Sequence, residues 1–585
     1  MGGFLALRRG PDGSQANLDR KSLSSFHLQG FGEPMKISTK YWDIFLFGKY
    51  SGLSPTVHVV DAKNFAACSG TIVYEGASGT KALEIILRRF RTSSIDWDRA
   101  QGSFCVLIGS DTDVCLLSDK LGTYKIYQNE SQTVLSSSFL GVLETIGRPT
   151  ANAQAIYEYV FQGATHSGRT VVEEIKIIEP RSILRLGKKV DTSKLPNDLW
   201  AGEKWVRFED HLTRVHAALR ENIGALIAAF GKNIDTALSG GFDSRLLLAL
   251  LRAQGITPRV HVYGSAQDRD VVVAKAIAAA EGFPITHTDK SHLTSPSVEE
   301  FPTTISQNFF LFDGCPSDGI FDNGGDVQTR RERACGGALA LNGGGGEIFR
   351  NFFYLREGSF SIRQVMWAFY CQFDPAVCTD AFSETEYLEA MSKAAADLLG
   401  YNGAKSPGRV RLARKEVECL YPCLRCAYWM GRNNSINNRF GFASTPFVES
   451  SLVKLALQIP VRYKNFGRFE AALIHAVDPA LARHASAYGQ GFDANPSVKR
   501  RLKEYATLYR PTWARRLSYR IQARFRRPEL NPLLTNDYLG RVIDASFPEM
   551  RRYFSMDKVK NETELSRICT LEYMFQKVQP NHPRV

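Results

Sequence analysis

Ser239, Gly240, Gly241, Asp243 and Ser244 fall inside the segment ALSGGFDSRLLLALL, which runs from residue 237 to residue 251. The residues before them read as a short strand, and those after them as a helix. Adjacent glycines let the backbone turn tightly and present its N–H groups with no Cβ in the way. The helix that starts near Asp243 points its N-terminus at the same place, which makes an anion cradle. Ser239 and Ser244 add hydroxyl donors for phosphate oxygens. Asp243 is the odd member, because a carboxylate repels phosphate. It implies either a bridging cation, Mg2+ being the natural choice, or a helix cap. No Gly-Lys-Ser/Thr follows, so the loop is not a Walker A. The competing description is a plain strand–turn–helix connection.

The elements around the loop fix how it must be held. Helical periodicity over 211–230 leads to a strand at 233–239, and after the glycines a helix runs to Gly255. A strand at 259–264, a helix at 270–283 and a strand at 284–289 follow. This alternation predicts a parallel sheet with right-handed crossovers, and ligands of such sheets sit at the carboxyl ends of the strands. Upstream, the chain reads as β-rich, with short runs at 102–110, 113–119, 124–128 and 133–138 and a helix over 81–90. A polar, proline-broken stretch at 191–205 marks a boundary. The expected units are residues 1–195, 206–490 and a basic helical extension over 491–585.

Composition narrows the class. The chain has 585 residues, 44% of them hydrophobic, which suits more than one folded core. No apolar run approaches the ~18 residues of a membrane span, and no signal peptide is evident. Eleven cysteines read as reduced thiols, so the expected location is cytoplasmic. Cys419, Cys423 and Cys426 have the spacing of an iron–sulfur loop, but the same spacing is one face of a packed helix, the preferred description. His261 reads as a packed residue. The formal charge is +13, and Lys499–Arg527 alone holds eleven Lys/Arg against one acid, Glu504. That run reads either as a patch for a polyanion or anionic lipid or, more commonly for such runs, as a solvated helical face. Its aromatics, Tyr505, Tyr509, Trp513, Tyr519 and Phe525, are expected to pack on the protein. The stretch 324–337 reads equally as a mobile basic lid over phosphates or as a solvated loop.

ALSGGFDS resembles the pyrophosphate loop of the asparagine synthetase family of ATP pyrophosphatases. LALNGGGGEIFRNFFY (339–354) is similar to that family's second glycine-rich segment, Ser-Gly-Glu-Gly-x-Asp-Glu-Leu-Phe-Gly-Gly-Tyr. RFGFASTPFVESSLVKLALQIPVRYKN (439–465) resembles its late Arg-x-Pro-Phe-x-Asp segment, and GSFCVLIGSDTDVCLLSDKLGTYKIYQ (102–128) its paired strands. The resemblance covers roughly residues 1–490. It implies an α/β chain: an amine-nucleophile-hydrolase-like αββα sandwich followed by a doubly wound parallel-sheet ATP pyrophosphatase domain. It implies ATP and Mg2+ as cofactors, adenylation of a small-molecule or peptide carboxylate, and amide formation. Backbone at Leu238 and Val262 and the Asn342–Gly343 step would hold adenosine. Ser239, Gly240, Gly241 and Ser244 would hold the phosphates, and Asp243 with Glu347 would hold Mg2+ and act catalytically. A homodimer is among the expected assemblies.

The departures from the family matter. The family begins Met-Cys-Gly, the cysteine being the glutaminase nucleophile; here residue 2 is glycine. RGPDG at 9–13 matches a family motif but lies too near the start, and reads as coincidence or a local deletion. The expected nitrogen donor is therefore ammonia or an amine on the substrate, as in intramolecular cyclases that close β-lactams or lasso peptides. Gly346 stands where the family has an aspartate, a second metal ligand, and Asp313 is a candidate substitute. The family's late lysine has no counterpart in SAYGQGF (486–492); Lys464 and Arg468 are the nearest candidates. These losses keep open a non-catalytic protein that retains the fold.

Overall fold

A computed structural model describes all residues except 11–14, 62, 111–112, 201–206, 293–294, 526–530 and 579–585. Most of the RGPDG motif therefore lies outside the described residues.

The first part of the chain is a sandwich of two six-stranded antiparallel sheets. Its alternating strands explain it. In Trp42–Phe47, Trp42, Ile44 and Leu46 face the second sheet, whereas Phe45 and Phe47 face outward, with Phe47 stacked on Phe26 of helix Gln15–Leu28. The period of two thus buries both faces of one strand. Helix Gly79–Arg91 covers the other sheet through Ala82, Leu83 and Ile86, which pack on Ala66, Val106 and Ile108. The layers run helix, sheet, sheet, helix, which is the expected αββα arrangement.

The second part is built on a five-stranded, wholly parallel sheet. Strand Ile234–Ala237 pairs with Arg259–Tyr263 on one side and with Leu339–Leu341 on the other. Ile285–Thr288 and Phe442–Ser444 form the edges. The winding therefore reverses at Ile234–Ala237, and a crevice at the carboxyl end of that strand is where such sheets bind ligands. Helices Phe242–Arg252 and Arg269–Glu281 pack on the sheet through Leu246, Leu247, Val271 and Ala274. The 324–337 stretch forms helix Gly325–Ala334, not a loop. It lies against the opposite face and pins Asp235 through Arg333 Nε at 2.6 Å. His261 Nε2 meets the same buried carboxylate at 2.7 Å, so it is a packed residue.

Asp313 joins the two parts. It accepts from Ser138 Oγ at 2.6 Å and from the backbone N–H of Phe139 (2.8 Å) and Leu140 (3.1 Å), all beside the sandwich. Arg432 and Arg439, on helix Gly431–Phe440, meet Oδ2, the oxygen that also accepts from Phe139 N–H, at 3.1 and 2.9 Å. The two guanidinium groups, with these donors, hold the fully buried carboxyl below the usual range despite the cost of burial. Asp313 is thus a structural anchor and not a substitute metal ligand: it is committed to five donors away from the loop. The C-terminal helix Glu562–Val578 packs into the same large core through Ile568, Leu571 and Met574, and Arg567 Nη1 donates to Val160 O at 2.8 Å.

Candidate functional site

Helix Phe242–Arg252 starts directly after the loop that follows strand Ile234–Ala237; neither loop glycine takes the left-handed region, and Gly240 is required for space, since a Cβ there would meet Ala487 at 2.7 Å. The adjacent strand Leu339–Leu341 delivers Asn342 and Gly343 to the same end of the sheet. A Cβ on Gly343 would lie 3.0 Å from the backbone of Asp243 and Ser244, so this segment packs directly on the helix N-terminus. Leu238 N–H donates to His261 O at 2.8 Å, which sets the backbone of Leu238 beside Val262. The Asn342–Gly343 step thus lies against the start of the helix that follows the SGGFDS loop, while Leu238 and Val262 are buried in the core behind it.

The cradle is largely satisfied from within. Gly240 N–H donates to Asp270 Oδ1 at 2.8 Å, and Gly241 N–H to Ser239 Oγ at 3.2 Å. The Ser239 and Ser244 hydroxyls lie 3.0 Å apart. Ala487 N–H, from the lysine-free SAYGQGF segment, donates to Gly240 O at 2.9 Å. A carboxylate oxygen of Asp270 thus takes the kind of position that a phosphate oxygen takes in an anion cradle.

Asp243 faces away from these hydroxyls, into a charged cluster. Arg350 Nη2 donates to both Asp243 oxygens at 2.8 Å. The same guanidinium lies 2.8 Å from Glu470 Oε2 and 3.5 Å from Glu347 Oε1. Tyr421 OH donates to Glu347 Oε2 at 2.6 Å. Burial pushes the Asp243 carboxyl up, Glu347 adds to this, and Arg350 opposes it. Burial and the charge of Asp243 push Glu470 up further. Burial disfavours the charge on Arg350, but three carboxylates outweigh it and hold the guanidinium protonated.

A Cβ at Gly346 would lie 2.5 Å from Asp243 Oδ1 and 2.9 Å from Glu470 Oε1. The glycine that replaces the family's aspartate is therefore required by this packing. Mg2+ does not fit the cluster as it is arranged, because the space between the carboxylates holds the Arg350 guanidinium. A divalent ion beside it would face like charge at close range. Glu347 and Asp243, the expected metal pair, are instead bridged by an arginine. Arg350, Glu470, Asp270 and Tyr421 were not among the expected site residues. Only Arg350 carried a signal: Glu347-Ile348-Phe349-Arg350 departs from Glu-Leu-Phe-Gly at its last position.

Two cavities meet at Glu347. One, of about 450 Å³, is lined by Tyr263, Asn342, Gly344, Arg330, Asn434 and Asn437, among others, between the sheet and helices Gly325–Ala334 and Gly431–Phe440. The other, of about 400 Å³, is basic, with Arg350, Lys464, Arg500 and Arg515 in its wall. Lys464 is buried there with Nζ 2.8 Å from Glu418 Oε2. Arg468 instead stacks over Phe208, 5.1 Å from the ring centre. Cys419 and Cys423 approach to 3.4 Å on a helical segment, and among the described residues no three ligands converge on a metal site.

The sandwich has no room for a side chain at residue 2. A Cβ there would lie 2.5 Å from Gly48 O and 2.9 Å from the Phe31 ring. Next to it, Lys49 is buried, with Nζ donating to Gly70 O (3.3 Å), Asn438 O (2.7 Å) and Gly441 O (2.9 Å). Gly2→Cys is expected to lose about 1–3 kcal/mol of stability through overpacking and to release no glutamate from glutamine. Urea unfolding and a coupled glutamate assay check this. Glutamate release above the wild-type background would refute it.

No protein-family model matches the chain, and no characterised protein matches it in sequence. Among the solved structures that match, two illustrate the likeness, at low scores. One is a glutamine phosphoribosylpyrophosphate amidotransferase from B. subtilis complexed with ADP and GMP. It is 11% identical over 49% of this chain and 65% of its own length, with a TM-score of 0.19. The other is described as the allosteric regulatory enzyme of purine biosynthesis. It is 10% identical over 50% of this chain and 67% of its own, with a TM-score of 0.21. This chain thus spans just under two thirds of the first of these, and likeness at such scores carries no functional inference.

Proposed function

We propose that this chain is an asparagine synthetase-like ligase, which uses ATP to adenylate a carboxylate, releases pyrophosphate and forms an amide without hydrolysing glutamine. The observation that supports this best is the winding reversal at strand Ile234–Ala237, which brings the SGGFDS loop and the Asn342–Gly343 step to the carboxyl ends of adjacent strands. The roughly 450 Å³ cavity beside Asn342 suits a nucleoside and an attached carboxylate. Ser239, Ser244 and the loop N–H groups would bind phosphate oxygens once Asp270 yields Gly240 N–H. In the second cavity Arg350, Lys464 and Arg500 already pair with carboxylates, Lys464 with Glu418 and Arg500 with Glu504, and would attract the leaving pyrophosphate by exchanging those partners. Glu347, at the junction of the cavities, would orient the acyl-adenylate.

Ammonia or a substrate amine would supply the nitrogen, since Gly2 offers no nucleophile. Intramolecular cyclisation is the form of this chemistry that needs no second substrate. A second reading, a binding protein that keeps the fold without turnover, is favoured by the Arg350 bridge and by the Asp270 cap on the loop. Calorimetry with ATP separates both from a chain that binds no nucleotide. Wild type is expected to bind. Gly240→Val is expected to lose binding at least ~100-fold, because even a Cβ there meets Ala487 at 2.7 Å. Equal binding by the two would place the nucleotide elsewhere and sink the assignment of the loop.

A further inference from the structure

Apart from Arg500, this chemistry does not use the two basic helices near the C-terminus. Helix Val498–Tyr509 exposes Val498, Leu502, Tyr505 and Tyr509, between 41% and 70% each, at steps of three and four residues. After a break at Arg510 and Pro511, helix Thr512–Arg524 exposes Trp513, Leu517 and Ile521, and Phe525 follows at its end. These four are 48% to 82% exposed, at steps of four. Such spacing places each set on one stripe. The expectation that the aromatics pack on the protein holds for Tyr519, whose OH donates to Ala368 O at 3.0 Å. It holds in part for Tyr505, whose ring meets Phe466 edge-on at 4.9 Å, and fails for Tyr509, Trp513 and Phe525.

The reason is an inverted amphipathicity. Arginines hold the hairpin to the body. Buried Arg515 donates to Phe353 O at 2.8 Å and Thr507 O at 2.7 Å, Arg516 pairs with Glu384 at 2.7 Å, and Arg500 donates to Phe466 O at 3.2 Å. The apolar residues are left on the outer side. Around them Lys499, Arg501, Lys503, Arg510 and Arg524 stay exposed, and no carboxylate among the described residues pairs with them.

Two consecutive helices that each carry an exposed apolar stripe mark a binding face. A nucleic acid would use the cations and aromatics but not the aliphatic Val498, Leu502, Leu517 and Ile521, which offer no face for base stacking. A protein partner would bury a centre poor in charge. An anionic bilayer complements both features at once. We propose that this hairpin is a membrane-surface docking element: its apolar stripe enters the acyl boundary, and its lysines and arginines sit among headgroup phosphates. No described helix is long and apolar enough to cross a membrane, so the attachment is to the surface. Glu504, Thr507 and Tyr519 also line the basic cavity, so docking would turn that cavity toward the lipid.

The test is co-sedimentation of the full chain with vesicles of phosphatidylcholine, alone or mixed with phosphatidylglycerol, alongside a single-stranded oligonucleotide arm. Mixed vesicles are expected to bind about tenfold more protein than the zwitterionic ones, with a blue shift of tryptophan fluorescence. Leu517→Glu with Ile521→Glu is expected to lower vesicle binding about tenfold while leaving the thermal unfolding midpoint unchanged. The proposal is overturned if neither vesicle binds, or if the double variant binds as well as wild type. It is also overturned by tighter binding to the oligonucleotide that the variant leaves intact, or by a dimer in solution that the variant dissolves.

Discussion

Arg350→Met is expected to destabilise the protein by about 3–5 kcal/mol, and Mg2+ or Mn2+ is expected to restore part of the loss in the variant alone. Removing the guanidinium leaves Asp243, Glu347 and Glu470 converging in a mostly buried site with no cation among them. The folded-state pKa values of Asp243 and Glu470, already raised by burial, then rise further above those of the unfolded chain. A carboxyl whose folded pKa is raised loses stability as pH climbs through the unfolded value, about 4, toward the folded one. The deficit is therefore smallest in mild acid and largest above neutrality. A divalent ion fills the same space with oxygen ligands, which suits Mg2+ and Mn2+. At a concentration 100-fold above its dissociation constant it would return about 2.7 kcal/mol. Thermal melts of both proteins against pH and against metal check each part. Equal metal shifts in wild type and variant would mean that Arg350 does not occupy the cation position.

Asp313→Asn is expected to cost a similar 3–5 kcal/mol by a different route. Asparagine tolerates the left-handed backbone at this position, where φ is 60°, so the change tests charge and not strain. It strips the counter-charge from Arg432 and Arg439, which are buried and cannot be rehydrated without opening the contact between the sandwich and the parallel sheet. Urea unfolding should show a lower midpoint. An early, separate transition is also expected if the two parts come apart before either melts. A loss below about 1 kcal/mol would mean that the anchor contributes little.

What the sequence disclosed follows from where its signals are local. The parallel sheet was legible because apolar strand runs alternate with helical ones at short spacing, and the Ile234–Ala237 strand lies within the stretch read for it. The sandwich was legible in the short apolar runs at 102–110 and 113–119, which form strands Phe104–Gly109 and Val114–Ser118, and in the helix read over 81–90. The cluster at Asp243 was not, because its partners come from 107 residues away in Arg350 and further still in Glu470. Asp313 looked like a spare carboxylate, since nothing near it in the chain announces Arg432 or Arg439. The hairpin misled in another way. Helical spacing gives the stripe, but which side faces water was decided by Arg515 finding carbonyls at Phe353 and Thr507.

The carboxylate-activating reading stands or falls on pyrophosphate. The chain is incubated with ATP, with and without Mg2+, and a panel of amino acids, peptides and hydroxy acids, and pyrophosphate release is followed by a coupled assay. Release that depends on one class of carboxylate, and that disappears in the Gly240→Val variant, is the predicted result. Nucleotide binding without pyrophosphate release for any carboxylate, under any metal condition, would contradict it and leave a nucleotide-binding protein without turnover.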